Sequence, residues 1–460
     1  MSNYIGLDIG TTSVCAVCLG DEGKLLQSLS VSDPLPELKE AGHTALQDPQ
    51  QIMERVRRLI EQIVKEEKMP FAMGISTQMH GIVYVDAAGK ACSPLYTWQD
   101  ACGNEVCEGE TCSQRLSRLT GYQIAAGYGL CTHYYQILHH AVPENAVKIC
   151  TIGDYVAMQL GGLDRPVMHP SNAAALGCFD IKNQRFDLEA LSKAGICSEI
   201  LPEIAGERMI GKTKEGIWIM SALGDNQASV YGSLKWTEKE EVYGAGGCGI
   251  QITVGTSAQI SIVTDQCRTD SALELRPFLK GKYLLVGAAL CGGYAWQLLR
   301  DFYMETAQLL GTEAASDIYE KMTEAARKVY EQQKQDETKN NCRKQLQADT
   351  HFLGSRKDPS QSGGFSGVTA HNFHPGEFCL AVLQGIVQEL YTFYASEEEN
   401  LRECQVIYGS GNGLRRNPVL VQLLQDRFGK EMRLMPAVEE AALGAAKAAR
   451  DTAGLENLRQ

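Results

Sequence analysis

The chain has no excess of basic residues. Its 460 residues include 43 Lys and Arg against 56 Asp and Glu, a formal net charge of −13. Nucleic-acid-binding proteins usually carry a basic stripe, and this sequence has none, so we expect no nucleic-acid partner. Proline and tryptophan are also scarce, at 14 and 4 residues. With no low-complexity segment, the composition excludes collagen-like and disordered classes and predicts a globular protein.

Long apolar runs are also missing. A membrane-spanning helix needs about 18 or more predominantly apolar residues, and the sequence has no such uninterrupted run, so a membrane is not an expected partner. The N-terminus is typical of a strand with polar flanks rather than a secretory signal. We therefore expect a cytoplasmic protein, in which the 16 cysteines are reduced thiols.

Two segments repeat the order strand, Gly/Thr/Ser turn, strand. The first places Gly10-Thr11-Thr12-Ser13 between apolar runs at 4–9 and 14–19. The second places Gly255-Thr256-Ser257 between runs at 250–254 and 258–263. Coincidence is one explanation, but a spacing near half the chain length favours an internal duplication. We predict two α/β domains, covering 1–240 and 241–460.

The two turns, and a third glycine-rich turn, suit phosphate chemistry. Asp8 ends the first strand, where a carboxylate can hold hydrated Mg²⁺, and the turn after it offers N–H groups and hydroxyls to phosphate. The segment 409–413, Gly-Ser-Gly-Asn-Gly, lets a nucleobase or ribose approach the backbone. Each turn alone could be an ordinary hairpin or loop, but the three together favour a nucleotide site.

A carboxylate follows another buried strand. Asp225 lies between that strand, at 217–223, and a predicted helix. At a helix N-terminus a carboxylate is favoured in its ionised form, so Asp225 could accept a hydroxyl proton. The alternative is an N-cap residue, and both roles are compatible.

Two further segments combine groups that suit a sugar. Gln78, Met79 and His80 place an amide, a thioether and an imidazole after one strand, and Trp98 and Asp100 place a flat ring near a carboxylate. Taken singly, a satisfied buried histidine and a core tryptophan are the favoured explanations.

In their order along the chain, these motifs resemble those of the FGGY carbohydrate kinases. The resemblance covers nearly the whole chain and includes Glu440-Ala441-Ala442-Leu443-Gly444 near its end. Within that family, segments 153–158, 163–168 and 171–174 are similar to those of sedoheptulokinases. Departures occur at Cys102, where the family often has Arg, and at Ser355, where it often has Glu.

The resemblance implies an α/β fold of two actin-like ATPase (ribonuclease H-like) domains with an interdomain cleft. It implies ATP and Mg²⁺ as cofactors, Asp225 as catalytic base and Asp8 as a metal ligand through water. The first domain would carry the sugar site and first phosphate loop, and the second the other phosphate loop and the adenosine site. ATP-binding residues would be Asp8, Gly10, Thr11, Thr12, Ser13, Gly255, Thr256, Gly409, Ser410, Gly411, Asn412 and Asn417. Sugar-binding residues would be Gln78, Met79, His80, Trp98, Asp100, Asp154 and Asn226.

The substrate implied by the resemblance is a ketose, with sedoheptulose converted to sedoheptulose 7-phosphate. D-Xylulose, ribulose and other polyols or ketoses remain alternatives, as does a non-catalytic ATP- or sugar-binding regulator on the same fold. The Cys102 departure leaves the exact sugar open, and a homodimer is possible.

Overall fold

The computed structural model describes residues 2–36, 38–67, 69–234, 249–313, 315–338, 344–355, 358, 360–402, 404–435 and 439–457. The chain forms two compact units. The first comprises Met1–Ser233, Arg276–Tyr283 and Ala437–Gln460, and the second comprises Leu234–Leu275 and Leu284–Pro436. The predicted boundary between 240 and 241 lies outside the described residues, so that division stays a prediction.

The strands of the described residues are, in chain order, β1 Asn3–Ile9, β2 Val14–Gly20, β3 Leu25–Val31, β4 Leu46–Gln47, β5 Pro70–Thr77, β6 Val83–Val85, β7 Leu95–Tyr96, β8 Val106–Cys107, β9 Glu110–Thr111, β10 Lys148–Cys150, β11 Val167–Met168, β12 Phe179–Asp180, β13 Arg185–Phe186, β14 Glu203–Ile204, β15 Met209–Lys212, β16 Trp218–Met220, β17 Leu223–Gly224, β18 Gly249–Val254, β19 Ala258–Thr264, β20 Glu274–Pro277, β21 Tyr283–Ala289, β22 Gln347–Asp349, β23 Gly364–Ser366, β24 Val406–Ser410 and β25 Glu431–Leu434.

The α-helices are α1 Pro49–Glu66, α2 Cys112–Thr120, α3 Gly129–Leu138, α4 Ile152–Gly161, α5 Pro170–Leu176, α6 Leu188–Lys193, α7 Asp225–Ser233, α8 Gly293–Leu309, α9 Ile318–Thr338, α10 Pro375–Ala395, α11 Asn412–Arg416, α12 Pro418–Phe428 and α13 Glu440–Asn457. Several of them begin with ordinary start signals. In α1, for example, the Asp48 carboxylate accepts a hydrogen bond from the Gln50 N–H and Pro49 opens the helix, as expected at a helix N-terminus.

The main sheet of the first unit has the order β15-β16-β5-β1-β2-β3, with β17 also paired to β5. Strands β1 and β2 form the first predicted hairpin, with Ile9 opposite Val14. Strands β1, β16 and β17 run parallel to β5. Because the carboxyl ends of parallel strands share one edge of a sheet, residues that follow β1, β5 and β17 are brought together.

The main sheet of the second unit has the order β20-β21-β19-β18-β24-β25. Strands β18 and β19 form the second predicted hairpin, with Val254 opposite Ala258. Strand β24 runs parallel to β18 and to β25. Both predicted hairpins are therefore confirmed, and in each unit the hairpin adjoins parallel strands.

Helix α13 follows the second unit in sequence but packs on the sheet of the first. Gly6 of β1 and Gly74 of β5 lie opposite each other and form a groove under the helix. A Cβ atom on Gly6 would lie 1.8 Å from the carbonyl oxygen of Ala442, and one on Gly74 would lie 2.0 Å from that of Ala445. The small residues of the helix and of the two strands therefore allow the helix to pack very close to the sheet.

The same helix crosses α7 at similarly short range. A Cβ on Gly444 would lie 1.8 Å from the carbonyl oxygen of Ala228, and one on Gly232 would lie 2.2 Å from that of Glu440. Helix α13 thus contacts both β1, which carries Asp8, and α7, which begins at Asp225.

Helix α10 is long and apolar enough to cross a membrane by length and composition, and half of its most apolar window is buried in the structure. Ile386 and Leu390 of this helix belong to the hydrophobic core of the second unit, as in core helices that pass the same test.

Among the described cysteines, thirteen are free thiols and Cys404 is disulfide-bonded, so the prediction of reduced thiols is wrong at Cys404.

Candidate functional site

Two carboxylates flank the end of the central strand β5. Asp8 of β1 pairs in register with Ser76 of β5, and Leu223 of β17 pairs with the same serine from the other side. Asp225 follows two residues after Leu223 and begins α7. The sheet therefore brings Asp8 and Asp225 to one edge, although 217 positions separate them in the sequence.

Asp8 is partly buried and makes one strong hydrogen bond, accepted by its Oδ1 from the Ser76 hydroxyl at 2.7 Å. Burial raises the pKa of Asp8 to about 7, against the lowering effect of Ser76. The negative charges of Asp225 and Glu439 raise this pKa further. Asp8 therefore lies in a locally negative environment, whose charge a bound cation would offset.

Asp225 has a different environment. Burial raises its pKa to about 6, while the Asn226 N–H and the positive charge of Arg276 act in the opposite direction. The N–H of Asn226 donates to Asp225 Oδ1 at 2.6 Å, and the Arg276 guanidinium donates to Asn226 Oδ1 at 3.3 Å. Asp225 is thus available as a proton acceptor near neutral pH.

The strand before Asp225 is held by two side chains of α5. The Ser171 hydroxyl accepts a hydrogen bond from the Gly224 N–H at 3.0 Å, and the Asn172 amide donates to the Ala222 carbonyl at 3.0 Å. Ser171 and Asn172 lie in a segment that resembles sedoheptulokinases, and this resemblance is the one feature of the sequence that pointed to them. Their role in positioning Asp225 became visible only in the structure.

The first glycine-rich turn is joined to two residues of the predicted sugar site. The Thr11 hydroxyl donates to Gln78 Oε1 at 3.3 Å and accepts from the Trp98 indole N–H at 2.9 Å. Gln47, which the sequence motifs did not indicate, donates to the Thr11 carbonyl at 2.7 Å. Trp98 is 46% exposed, so its ring lies open beside the turn, where Thr12 is also exposed.

Met79 and His80 lie where β5 has ended. His80 has a φ of +73°, a conformation uncommon for a non-glycine residue. Its ring stacks on Tyr128 with 4.6 Å between centroids, and its Nδ1 lies 2.6 Å from the Ala175 carbonyl oxygen. Met79 is buried, and a Cβ on Gly224 would lie 2.9 Å from its sulfur. Met79 therefore packs directly against the residue before Asp225.

Asp100 is buried, and both of its oxygens contact groups of the chain. Oδ2 lies 2.5 Å from His43 Nδ1, and Oδ1 accepts from the Thr44 N–H at 2.9 Å. Burial opposes ionisation, but these hydrogen bonds outweigh it and lower the pKa of Asp100. Its predicted contact with a sugar stays a prediction, and the geometry indicates a positioning role.

Asp154 is also fully buried. Its Oδ2 accepts from the Thr151 hydroxyl at 2.6 Å, and its Oδ1 accepts from the Asn172 amide at 3.4 Å. Burial raises the pKa of Asp154 to about 7. Because Asn172 also supports the strand before Asp225, Asp154 contributes to that support, and its sugar contact stays a prediction.

In the second unit, the Gly255-Thr256-Ser257 turn is backed by the start of α8. The N–H of Gly292 donates to the Thr256 carbonyl at 2.9 Å, and that of Gly293 donates to the Gly255 carbonyl at 2.8 Å. A Cβ on Gly293 would lie 2.5 Å from the Gly255 oxygen. The sequence motifs missed this glycine pair, although two glycines between an apolar strand and a helix were a usable signal.

The predicted adenosine loop begins at the end of β24, beside the end of β18. The hydroxyls of Thr253 and Ser410, opposite each other in register, lie 2.7 Å apart. Gly411 has a φ of +90°, and a Cβ there would lie 2.4 Å from the Val254 carbonyl oxygen. The second phosphate turn and the loop from Gly409 therefore share one sheet edge.

The remaining two residues of that predicted loop begin helices. Asn412 is the first residue of α11. The Asn417 side chain accepts from the Leu420 N–H at 3.1 Å and caps α12. Asn417 is buried, so its predicted contact with adenosine stays a prediction.

Two units, each with a mixed sheet that carries a glycine-rich hairpin turn, are characteristic of the actin-like ATPase fold. The chain superposes on the crystal structure of ligand-bound xylulose kinase from Lactobacillus acidophilus with a TM-score of 0.79, covering 99% of this chain and 90% of that one. Sequence identity in that comparison is 22%, so it supports the fold alone.

Residues 3–232 match the profile of the FGGY family of carbohydrate kinases, N-terminal domain, and residues 250–450 match that of the C-terminal domain. The chain belongs to the FGGY family of carbohydrate kinases. It is an ATP-dependent sugar kinase, with ATP as the phosphate donor.

Curated relatives cover nearly all of the chain at low identity. The sedoheptulokinase of Homo sapiens is 26% identical over 485 residues, covering 96% of this chain and 96% of its own length. The gluconokinase of Bacillus subtilis (strain 168) is 25% identical over 468 residues, covering 97% of this chain and 86% of its own length. These two relatives carry different substrate names at nearly equal identity.

Proposed function

We propose that this kinase phosphorylates a ketose, converting sedoheptulose to sedoheptulose 7-phosphate. The observation that carries the proposal is the match to the sedoheptulokinase of Homo sapiens over 96% of this chain and 96% of that relative. The motif resemblance in segments 153–158, 163–168 and 171–174 supports it. In the structure, Ser171 and Asn172 of the last segment support the strand before Asp225.

Asp225 is the proposed catalytic base. It accepts the proton of the attacking sugar hydroxyl, whose oxygen forms a bond to the γ-phosphorus of ATP while the bond to ADP breaks. Such transfer requires mainly positioning and charge stabilisation from the protein. The Asn226 N–H and Arg276 favour the ionised form of Asp225, which is the form that can accept a proton.

Mg²⁺ is the proposed metal, held through Asp8. The donor set fits a hard cation, because Asp8 supplies carboxylate oxygens. A cation beside Asp8 would offset the burial and the negative charges of Asp225 and Glu439 that raise its pKa. When bound with ATP, Mg²⁺ would neutralise phosphate charge. Ser76 orients the Asp8 carboxylate through its 2.7 Å hydrogen bond.

ATP contacts are proposed for the glycine-rich turns of each unit. Gly10, Thr11, Thr12 and Ser13 would offer N–H groups and hydroxyls to phosphate, as would Gly255 and Thr256. The segment 409–412 would line the adenosine. For the sugar, we propose contacts from Gln78, Trp98 and Asn226, with Met79 and His80 shaping the pocket wall.

Gluconate is a second candidate substrate. Gluconokinases are among the relatives, and the Arg276 guanidinium next to Asn226 is a cation that could recognise a carboxylate. Sedoheptulose is neutral and would gain no comparable charge interaction. The two candidates therefore differ in how strongly they would depend on Arg276.

The test is a coupled ADP-release assay with sedoheptulose, D-xylulose, D-ribulose, L-ribulose, gluconate and glycerol side by side. The highest kcat/KM is expected for sedoheptulose, with the phosphate on O7 by NMR. A clear preference for gluconate that disappears in Arg276→Gln would replace the proposal with the second candidate. Sugar-independent ATP hydrolysis alone would refute both.

We also propose a cytoplasmic location, from the sequence composition and the metabolic role. The homodimer stays a prediction. Light scattering coupled to gel filtration would test it directly.

A further inference from the structure

Four metal-ligating side chains lie close to one another near the surface of the first unit, and one of them, Cys112, is itself buried. They are Glu105, Cys107, Cys112 and His139, and we call them the Cys107 cluster. None of them has a role in the proposed phosphoryl transfer. They come from three neighbouring elements: the β8–β9 hairpin with the residue before it, the start of α2, and the end of α3.

The distances within the cluster are short. Cys107 Sγ lies 3.9 Å from Cys112 Sγ and 3.8 Å from Glu105 Oε1. Glu105 Oε1 lies 2.9 Å from His139 Nε2. Single ligand atoms of Glu105, Cys107 and His139 all lie within 4.8 Å of one another.

Three of these separations are close to the edges of a coordination tetrahedron, while Cys112 stands outside the group of three whose ligand atoms all lie within 4.8 Å of one another. Zinc binds sulfur at about 2.3 Å and nitrogen or oxygen at about 2.0–2.2 Å, which places tetrahedral sulfur pairs about 3.8 Å apart and nitrogen–oxygen pairs about 3.3 Å apart. The Cys107–Cys112 distance agrees with the first value. The Glu105–His139 distance is a few tenths of an ångström shorter than the second, a difference that a small rotation of the exposed Glu105 side chain would remove.

The hairpin that carries the cluster is short, although Cys107 packs against the hydrophobic core of the first unit. Strands β8 and β9 have two residues each, and an isolated two-stranded hairpin is at best marginally stable. Val106 of β8 is 66% exposed. Glu108 in the turn has a φ of +57°, which is uncommon for a non-glycine residue.

Ion pairs contribute to the hairpin, but weakly. Arg115 pairs with Glu108 at 3.1 Å, and Arg118 pairs with Glu110. Exposed pairs of this kind contribute about 0–1 kcal/mol. A metal bound by Cys107 of β8 and Cys112, the first residue of α2, would fasten the hairpin at both ends.

We propose that the Cys107 cluster binds a structural Zn²⁺ ion. Two thiolates, an imidazole and a carboxylate are a donor set that suits zinc, whereas Mg²⁺ and Ca²⁺ require oxygen ligands. On binding, the two thiols release their protons to solvent and His139 coordinates in its neutral form.

The position of the cluster gives the ion a consequence for the site. The Glu105 N–H donates to the Cys102 carbonyl at 3.0 Å, and the Cys112 N–H donates to the Glu105 carbonyl at 3.0 Å. Cys102 lies two residues after Asp100. Zinc would therefore steady the segment that follows Trp98 and Asp100, acting by position rather than by contact with the substrate.

The test uses the full-length chain with reduced thiols, loaded with Zn²⁺ and dialysed against metal-free buffer. We expect about one zinc per chain by mass spectrometry of the metal, and a thiolate-to-metal charge-transfer band after replacement by Co²⁺. Cys107→Ser and His139→Gln should each weaken binding at least tenfold. Zinc should raise the Tm of the unmodified protein but not that of Cys107→Ser.

Cys197→Ser is the matched control. The Cys197 thiol lies 2.6 Å from Glu199 Oε2, an exposed Cys–Glu pair outside the cluster, so this variant should keep the full zinc content. Zinc retained in Cys107→Ser would overturn the proposal. The absence of the thiolate-to-metal band in the cobalt-loaded unmodified protein would also overturn it, and this measurement does not depend on the folding of a variant. Reduced protein that forms a Cys107–Cys112 disulfide in air but binds no zinc would also overturn it.

Discussion

The groove under α13 leads to a prediction for Gly74→Ala. An added Cβ at Gly74 would lie 2.0 Å from the Ala445 carbonyl oxygen and 2.6 Å from its carbonyl carbon. Favourable contacts between heavy atoms lie near 3.5 Å, so strand and helix must separate by roughly 1.5 Å. The added Cβ is attached to the β5 backbone and the atoms it meets belong to the α13 backbone, so no side-chain rotation can relieve the contact.

The magnitude follows from this geometry. Overpacking a core costs about 1–3 kcal/mol and occasionally more, and we expect the upper end of that range, about 3 kcal/mol. Without this close contact, Gly74→Ala would be expected to stabilise the protein, because Ala in a strand interior is about 0.5–1 kcal/mol more favourable than Gly. The Ser76 hydroxyl, two residues on, bonds Asp8, so kcat/KM should fall together with stability.

Urea unfolding followed by circular dichroism measures the free energy of unfolding, and the ADP-release assay measures activity. Gly206→Ala is the matched control, because a Cβ there meets no atom within 4 Å. If Gly74→Ala were as stable as Gly206→Ala, the close approach of α13 to the sheet would be refuted.

Three further predictions concern the site. Asp225→Asn should lower kcat by about 10²–10⁴-fold, the usual contribution of a general base, with nucleotide binding retained in a fluorescent-ATP titration; equal turnover would contradict the base assignment. Arg276→Gln removes a positive charge that lowers the Asp225 pKa, so that pKa should rise and the acidic limb of the kcat/KM profile should move to higher pH, whereas Arg276→Lys should restore it in part. An unshifted limb would show that Arg276 does not act through Asp225. Trp98→Phe removes the indole hydrogen bond to Thr11 at 2.9 Å, which contributes about 1 kcal/mol to holding the ring in place. Because the ring is proposed to contact the sugar, the sugar KM should rise with little change in kcat; a change confined to the KM for ATP would place Trp98 on the nucleotide side.

The sequence predicts those parts of the site that depend on local patterns. Both hairpins follow from apolar runs around a Gly/Thr/Ser turn, and Asp225 follows from a strand that leads into a helix. Each pattern lies within about twenty residues, where periodicity and turn chemistry are informative.

The partners of these residues could not be predicted in the same way. Arg276 and Glu439 reach the site from segments that follow the second hairpin, and the local sequence of neither segment marks an approach to Asp225 or Asp8. His43, the partner of Asp100, lies 57 positions earlier in the chain. Such contacts depend on which distant segments pack together, and a single sequence carries little information about that.

The glycine contacts of α13 also have a consequence for biosynthesis. Chains are made from the N-terminus at about 5–20 residues per second, and domains tend to fold as they emerge. Here the residues that cover β1, β5 and α7 are translated only after the whole second unit. While the second unit is being translated, helix α13 does not yet exist, so Gly6 of β1 and Gly74 of β5 are not covered by it. A nascent chain that stalls before 440 would lack the helix that supports both carboxylates, which makes the kinase dependent on completed translation and exposes stalled chains to chaperones and proteases.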